Sequence, residues 1–409
     1  MQARYLYLHL DQHLQEHRQM LFLSGPRQCG KTTLARHLLS NVQDGTNYYN
    51  WDNSAHRKKL LSQVFLGKLR LDSPGMDRLC FDEIHKYKRW KNTLKGLFDT
   101  YEPGHTHWIV TGSARLDVFR KGQDSLVGRY FSYHLFPFSV AELHSSRSDP
   151  KPRIEDLLRG GFSRASQESV QIQDELLKWS GFPEPYLKKS AAFQTNWRNS
   201  RLERLVRQDL AQLENLKDLS LVENLLFLLP ERVGQSLSIN SLREELEVHF
   251  STVKHWIELL ERVYYGWTLK SYSDRLSKII KKERKFYLWD WTELEDEGIR
   301  FENFIALHLL KYIYFVNDLG LDTLELYFLK DRNQHEVDFL ICRKRKPIVA
   351  IECKLSDDSP SAGLAYFSER LKIPHAIQVV KNLNAPKKTK VRSVMIDVVP
   401  SADFLSKLV

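Results

Sequence analysis

The chain has 409 residues, 42% hydrophobic and 27% charged, a globular mixture that excludes a disordered chain and sets an expectation of two to four domains. Lys and Arg number 61 against 51 Asp and Glu, for a formal charge of +10, which leans towards a polyanionic partner such as DNA. No stretch approaches 18 apolar residues, the opening MQARYLYLHLDQHLQEH lacks a basic-then-apolar targeting pattern, and Cys29, Cys80, Cys342 and Cys353 form no CxxC or zinc spacing; a cytoplasmic protein without a membrane span is expected.

Met20 to Leu23 reads as a short buried strand, and Thr33 to Leu39 as a helix. Between them GPRQCGKTT, residues 25 to 33, fits the phosphate-loop pattern Gly-x-x-x-x-Gly-Lys-Thr. Gly25 and Gly30 let the backbone turn its N–H groups inward around phosphate oxygens, with Pro26, Arg27, Gln28, Cys29 and Thr33 completing the loop. The helix that follows presents its positive end to an anion. Lys31 can reach the β- and γ-phosphates of ATP, and Thr32 can place a hydroxyl on Mg²⁺.

In RLCFDEIHKYKRW, Leu79 to Phe81 reads as a buried strand with Asp82 and Glu83 at its carboxyl end, where open α/β sheets place their chemistry. Asp82 is the expected Mg²⁺ ligand and Glu83 the group that polarises an attacking water. In HWIVTGSARLDVF, Trp108 to Val110 reads as another core strand, ending in Thr111 and Ser113 as contacts for the γ-phosphate or the water. Arg115, and Arg129 in SLVGRYFSYHLFPFS, are candidates for stabilising charge on the transferring phosphoryl group. The sequence leaves open whether either acts within its own chain or across a homo-oligomer.

GPRQCGKTT, CFDEIHKY, IVTGSARLD, GRYFSYHLFPFS and GFPEP together resemble prokaryotic AAA-type ATPases that carry a C-terminal domain of unknown function. The resemblance runs over nearly the whole chain. It implies an ATPase core, a helical region, a winged-helix-like segment and a C-terminal nuclease-like fold. Cys29 departs from the small aliphatic residue usual at its position in the loop.

Residues 141 to 167 are rich in turn formers and basic groups and read as a linker. Gln171 to Trp179 and Trp197 to Leu229 carry helical periodicity, as a lid or as packing between domains. In residues 238 to 272, Leu242 and Leu246 mark one helical face, and Val253, Trp256, Ile257, Leu260 and Val263 a second. Ser251 and Thr252 are expected to cap the second helix, and Tyr264 to Leu269 to form a strand. Lys254, His255, Glu258 and Arg262 lie away from the apolar face, as a groove-reading surface or as solvated packing.

In QHEVDFLICRKRKPIVAIECKLS, Glu336 to Ile341 reads as a strand and Pro347 to Lys354 as its hairpin partner. Glu352 and Lys354 share a face, and pairing brings Asp338 beside them. Two carboxylates can hold a second Mg²⁺ or Mn²⁺, and Lys354 can orient water. This phrase resembles the PD-(D/E)xK nuclease family, with its aspartate at Asp338, its E-x-K pair at Glu352 and Lys354, and its upstream helical glutamate at Glu302. Val337 stands where that family's nominal proline would be.

The expected class is therefore α/β and multidomain: a P-loop AAA-type ATPase core over 1–140, a helical lid or linker over 141–235, a winged-helix-like domain over 236–290 and an α/β restriction-endonuclease-like domain over 291–409. The leading expectation is an ATP-hydrolysing, DNA-associated protein. An ATP-regulated, metal-dependent DNA nuclease is the second reading. The third is a signalling or scaffold ATPase whose C-terminal domain binds a protein partner.

Overall fold

A computed structural model of the chain describes residues 4–39, 47–62, 77–100, 106–113, 126–144, 154–158, 161–210, 219–273 and 283–409. The chain divides into two compact units, residues 1–136 with 262–264, and residues 137–261 with 265–409.

In the first unit five short strands form one parallel sheet. They are β1 (Met20–Ser24), β2 (Tyr48–Asn50), β3 (Asp77–Asp82), β4 (Thr106–Gly112) and β5 (Tyr130–His134), in the order β2-β3-β4-β1-β5. β1 and β4 are buried along their whole lengths, as expected for strands covered on both faces, whose sequences run apolar rather than alternating. Aromatic pairs tie neighbouring strands together: Phe22 of β1 stacks on Tyr130 of β5 with centroids 4.2 Å apart, and Phe81 of β3 on Trp108 of β4 at 5.6 Å. Trp90, Leu94 and Leu97, one face of the helix Trp90–Thr100, join the same core. The register sets Ser24 beside Gly112, Asp82 beside Thr111 and Asn50 beside Asp82. One edge of the sheet thus gathers the ends of β1 to β4.

After two short helices, Val140–Leu143 and Ile154–Leu158, the second unit continues with helices Gln167–Trp179, Pro183–Lys188 and Ala191–Arg204. Gly181 is required at the first turn between them: a Cβ there would lie 2.6 Å from the Trp291 ring and 3.0 Å from the Phe138 carbonyl oxygen. Helices Ile239–Glu245 and Phe250–Arg262 are followed by the antiparallel hairpin β6 (Gly266–Lys270) and β7 (Arg284–Leu288). The second helix starts at Phe250, so Ser251 and Thr252 lie inside its first turn rather than capping it. Its buried face is Val253, Trp256, Ile257, Leu259 and Leu260.

A 22-residue helix, Glu297–Asp318, is capped by Asp296, whose carboxylate accepts the Ile299 N–H at 2.8 Å. A mixed six-stranded sheet follows: β8 (Leu324–Lys330), β9 (Glu336–Arg343), β10 (Lys346–Lys354), β11 (His375–Val380), β12 (Lys387–Val391) and β13 (Val394–Pro400), in the order β12-β13-β11-β10-β9-β8. β8, β9 and β10 pair antiparallel, while β10, β11 and β13 run parallel. The parallel crossover from β10 to β11 carries the helix Ala362–Leu371. The chain turns between β12 and β13 at Arg392, which takes a positive φ of 53°.

Candidate active site

The loop after β1 has three left-handed or glycine-type backbone positions, Gly25 (φ 151°), Gln28 (φ 64°) and Gly30 (φ 98°). A Cβ on Gly25 would lie 2.1 Å from the Leu135 carbonyl oxygen, so the tight turn needs glycine. Cys29 is buried and donates its thiol to the same carbonyl at 3.2 Å. Arg4 donates to the Cys29 carbonyl and, at 2.5 Å, to that of Phe136. Lys31 is folded onto the loop, its ammonium donating to Gly25 O at 2.8 Å and Pro26 O at 2.7 Å.

Thr32, at the start of the helix Lys31–Leu39, donates its hydroxyl to Asp82 Oδ2 at 2.8 Å. Asp82 ends β3 and is buried. Tyr48 and Thr111, on the flanking strands β2 and β4, also donate their hydroxyls to it. Burial, then the Asp82 carboxylate, push the Tyr48 phenol well above its ordinary range, so it remains a donor. Thr111, expected with Ser113 as a contact for the γ-phosphate or the water, donates its hydroxyl to Asp82 and is fully buried.

Glu83 takes a left-handed conformation (φ 58°) that turns it away from the line of β3. Its carboxylate accepts the Ser113 hydroxyl at 3.0 Å, with Lys86 Nζ at 3.5 Å and His85 Nε2 at 3.7 Å. Burial raises its pKa, but His85, Lys31, Lys86 and Arg27 outweigh that and hold it below its ordinary value. Glu83 is therefore an ionised carboxylate at neutral pH. The set Thr32 and Asp82 suits Mg²⁺: both offer hard oxygens at one sheet edge, within hydrogen-bond reach of each other.

The two arginines differ. Arg115 lies outside the described residues. Arg129 precedes β5 at the edge where Met20 pairs with Tyr130, the opposite end from Ser24 and the loop, and its guanidinium pairs with Asp99 at 2.7 Å. Within one chain the fold does not bring it to the phosphate loop. Tyr48 and Arg4 also belong to the site, Tyr48 through Asp82 and Arg4 through the Cys29 carbonyl. Neither carries a local signal, since each reaches the site through pairing or packing with distant segments.

The second predicted cluster, in the C-terminal sheet, is also assembled. Asp338 Oδ2 accepts the Cys353 N–H at 2.9 Å, and Lys354 Nζ donates to Glu352 Oε1 at 2.9 Å. Glu302 reaches it from the long helix, accepting the Tyr287 hydroxyl at 2.7 Å. Burial, then Asp338, push both Glu302 and Glu352 above the ordinary carboxylate range. Glu352 Oε2 is buried with no hydrogen-bond partner, which suits a proton there. The expected second Mg²⁺ or Mn²⁺ on Asp338, Glu352 and Glu302 does not fit this arrangement. Among the described residues no group of three or more His, Cys, Asp or Glu is disposed to hold a metal ion, and the Lys285 ammonium stands 3.1 Å from Glu302 Oε1 and 3.7 Å from Asp338 Oδ1.

Residues 17–144 match the AAA domain family. The matched stretch contains the phosphate loop, Asp82, Glu83 and Ser113. Two further matches are to domains of unknown function, DUF8612 over residues 157–292 and DUF4143 over residues 297–402. An uncharacterized protein of Haemophilus influenzae is 22% identical over 331 residues, spanning 75% of this chain and 78% of that protein. An uncharacterized protein of Methanocaldococcus jannaschii is 21% identical over 361 residues, spanning 85% and 78%. Among solved structures, the Aeropyrum pernix ORC1 protein in complex with DNA aligns with 13% identity over 74% of this chain and 93% of that one, at a TM-score of 0.34. AMPPCP-bound DnaA from Aquifex aeolicus aligns with 16% identity over 62% and 86%, at a TM-score of 0.30. No described helix is long and apolar enough to cross a membrane.

Proposed function

We propose that the chain is an ATP-hydrolysing, DNA-associated protein whose C-terminal unit has a nuclease-like fold. The observation that carries the ATPase part is the convergence of Thr32, Asp82, Glu83 and Ser113 at one edge of a parallel sheet, directly after the phosphate loop. Lys31 exchanges the Gly25 and Pro26 carbonyls for the β- and γ-phosphates. Thr32 and Asp82 are the oxygens that would hold Mg²⁺, which supplies charge neutralisation at the phosphates when bound. Glu83, kept ionised by its basic neighbours, orients a water and takes its proton as the water oxygen bonds to the γ-phosphorus and the bridging oxygen leaves with ADP.

DNA association is supported by the +10 charge and by the helix–helix–hairpin formed by Ile239–Glu245, Phe250–Arg262, β6 and β7. The connection between those strands carries Arg275, Lys278, Lys281 and Lys282 in its sequence, and Lys254 is exposed on the second helix. Basic side chains that contact phosphates make affinity fall with salt. The nuclease-like fold is supported by the way β9 and β10 bring Asp338 beside Glu352 and Lys354.

The test is ATP turnover by the full chain and by Lys31→Ala, each with and without duplex DNA, at several salt concentrations. The reading expects turnover that depends on Lys31 and responds to DNA, with binding that weakens as salt rises. Equal rates in the two proteins would reject the ATP site. DNA that neither binds nor alters turnover would reject the DNA part and favour the protein-partner alternative.

A further inference from the structure

Three acidic side chains in the C-terminal unit converge on a cation that belongs to the protein. Lys285 lies on β7, and its side chain is 2% exposed. Its Nζ stands 2.6 Å from Glu336 Oε1, 3.1 Å from Glu302 Oε1 and 3.7 Å from Asp338 Oδ1. Glu336 and Asp338 are two residues apart on β9 and so share a face, while Glu302 comes from the long helix. The ammonium therefore sits between carboxylates from two elements, at the position from which Glu302 and Asp338 together would chelate an ion.

Other donors also engage part of this nest. Glu302 Oε1 takes the Tyr287 hydroxyl as well, Asp338 Oδ2 takes the Cys353 N–H, and Lys330 lies 3.2 Å from Glu336 Oε2. Mg²⁺ needs about six oxygens at about 2.0–2.1 Å in near-octahedral order. Here Glu302 Oε1 and Asp338 Oδ2 are turned towards O–H and N–H donors, and a buried positive charge already stands between the acids. Burial alone would make the Lys285 ammonium easier to deprotonate, but Glu302, Asp338 and Glu336 more than reverse that and hold it charged.

We propose that Lys285 is the resident cation of this carboxylate cluster, so that the cluster takes neither Mg²⁺ nor Mn²⁺ and the C-terminal unit binds its partner without cleaving phosphodiesters. This rests on the nuclease-like part of the proposed function. It also removes the metal-dependent nuclease alternative, since the residues that would carry such a reaction are held by an internal ion pair network. The arrangement retains the order Asp338, Glu352, Lys354 while exchanging a removable ion for a covalently attached one.

The test uses Mn²⁺ as the probe, counted by electron paramagnetic resonance on the full chain without nucleotide. All proteins carry Asp82→Asn so that the phosphate-loop site does not contribute. The background protein and its Asp338→Asn derivative should bind the same number of ions. Lys285→Ala should gain one Mn²⁺ site, at least tenfold tighter than any in the background protein, and lose it again with Asp338→Asn added. A background site that disappears with Asp338→Asn overturns the proposal, as does a folded Lys285→Ala protein that gains nothing. Should Lys285→Ala fail to fold, the comparison of background with Asp338→Asn decides alone. DNA cleavage by the wild-type chain that needs Mg²⁺ and is lost in Asp338→Asn would also overturn it. ATP turnover and DNA affinity are measured alongside, and their absence would count against the proposed function without moving the ion count.

Discussion

Thr32 donates its hydroxyl to Asp82 at 2.8 Å, although 50 residues separate them in the chain. The contact joins the first turn after the phosphate loop to the end of a strand two places away across the sheet, since β4 lies between β1 and β3. Such a link exists only if the sheet adopts this order, and it sets the geometry on which the first predictions rest.

Replacing Lys31 with Ala is expected to lower ATP turnover by roughly a hundredfold or more, the scale for losing a preorganised donor to developing phosphate charge. The Lys31 side chain is buried against the Gly25 and Pro26 carbonyls, so the substitution also leaves two loop acceptors unpaired and its effect on folding must be read beside turnover. Steady-state phosphate release, with circular dichroism as a control for folding, checks both.

Glu83→Gln should separate binding from chemistry. The amide keeps the size of the side chain and can still pair with Ser113, but it cannot take a proton. We expect kcat to fall by about 10²–10⁴ with KM little changed. A KM that rises while kcat holds would assign Glu83 to substrate binding instead.

Gly25→Ala tests the loop directly. The added methyl meets the Leu135 carbonyl oxygen at 2.1 Å, at a backbone φ of 151°. A local strain of about 1–3 kcal/mol is expected, together with loss of nucleotide affinity. Urea unfolding of the full chain and binding of a fluorescent ATP analogue report the two effects.

Glu293 gives the second unit a pH signature. Its carboxyl is buried, paired with Arg201 at 3.3 Å, and pushed up to about 7 from 4.5, by burial first and with Asp290 adding to it against Arg201. A carboxyl whose folded pKa is raised contributes stability that is fully present below about 4.5 and lost as pH rises through about 7. The span corresponds to roughly 3 kcal/mol. Comparing urea midpoints of wild type and Glu293→Gln between those pH values isolates this group, because the other titrating side chains are common to both. Parallel curves would show that Glu293 does not titrate in this window.

The phosphate loop, the strand before it and the helix after it were legible because they are contiguous: glycine spacing, an apolar run and helical periodicity all lie within twenty residues. Asp82 and Glu83 were legible for the same reason, as acids at the end of an apolar run. The role of Thr111 was not. Its hydroxyl turns to Asp82 because β4 runs parallel beside β3 in a register that sets Asp82 opposite Thr111, and no local pattern encodes register between distant strands. Arg129 shows the same limit. A basic residue beside an apolar strand looks alike at either end, and the pairing of Met20 with Tyr130 puts this one at the end away from the loop.

In the C-terminal unit local pattern already brings Asp338, Glu352 and Lys354 together, since alternation along two adjacent strands and a short turn leave few other outcomes. What fills the space between the acids was decided by tertiary structure alone. Lys285 stands 53 residues before Asp338, on the hairpin β6–β7 rather than in the sheet that holds the acids. It reads as one more basic residue in a basic stretch. Only the packing of β7 against the long helix and β9 buries its stem and leaves its ammonium nowhere to go except among Glu302, Glu336 and Asp338. Short-range patterns specify which side chains share a face. Long-range packing specifies which charge they must share it with, because a buried carboxylate needs a partner and only the folded chain can bring one.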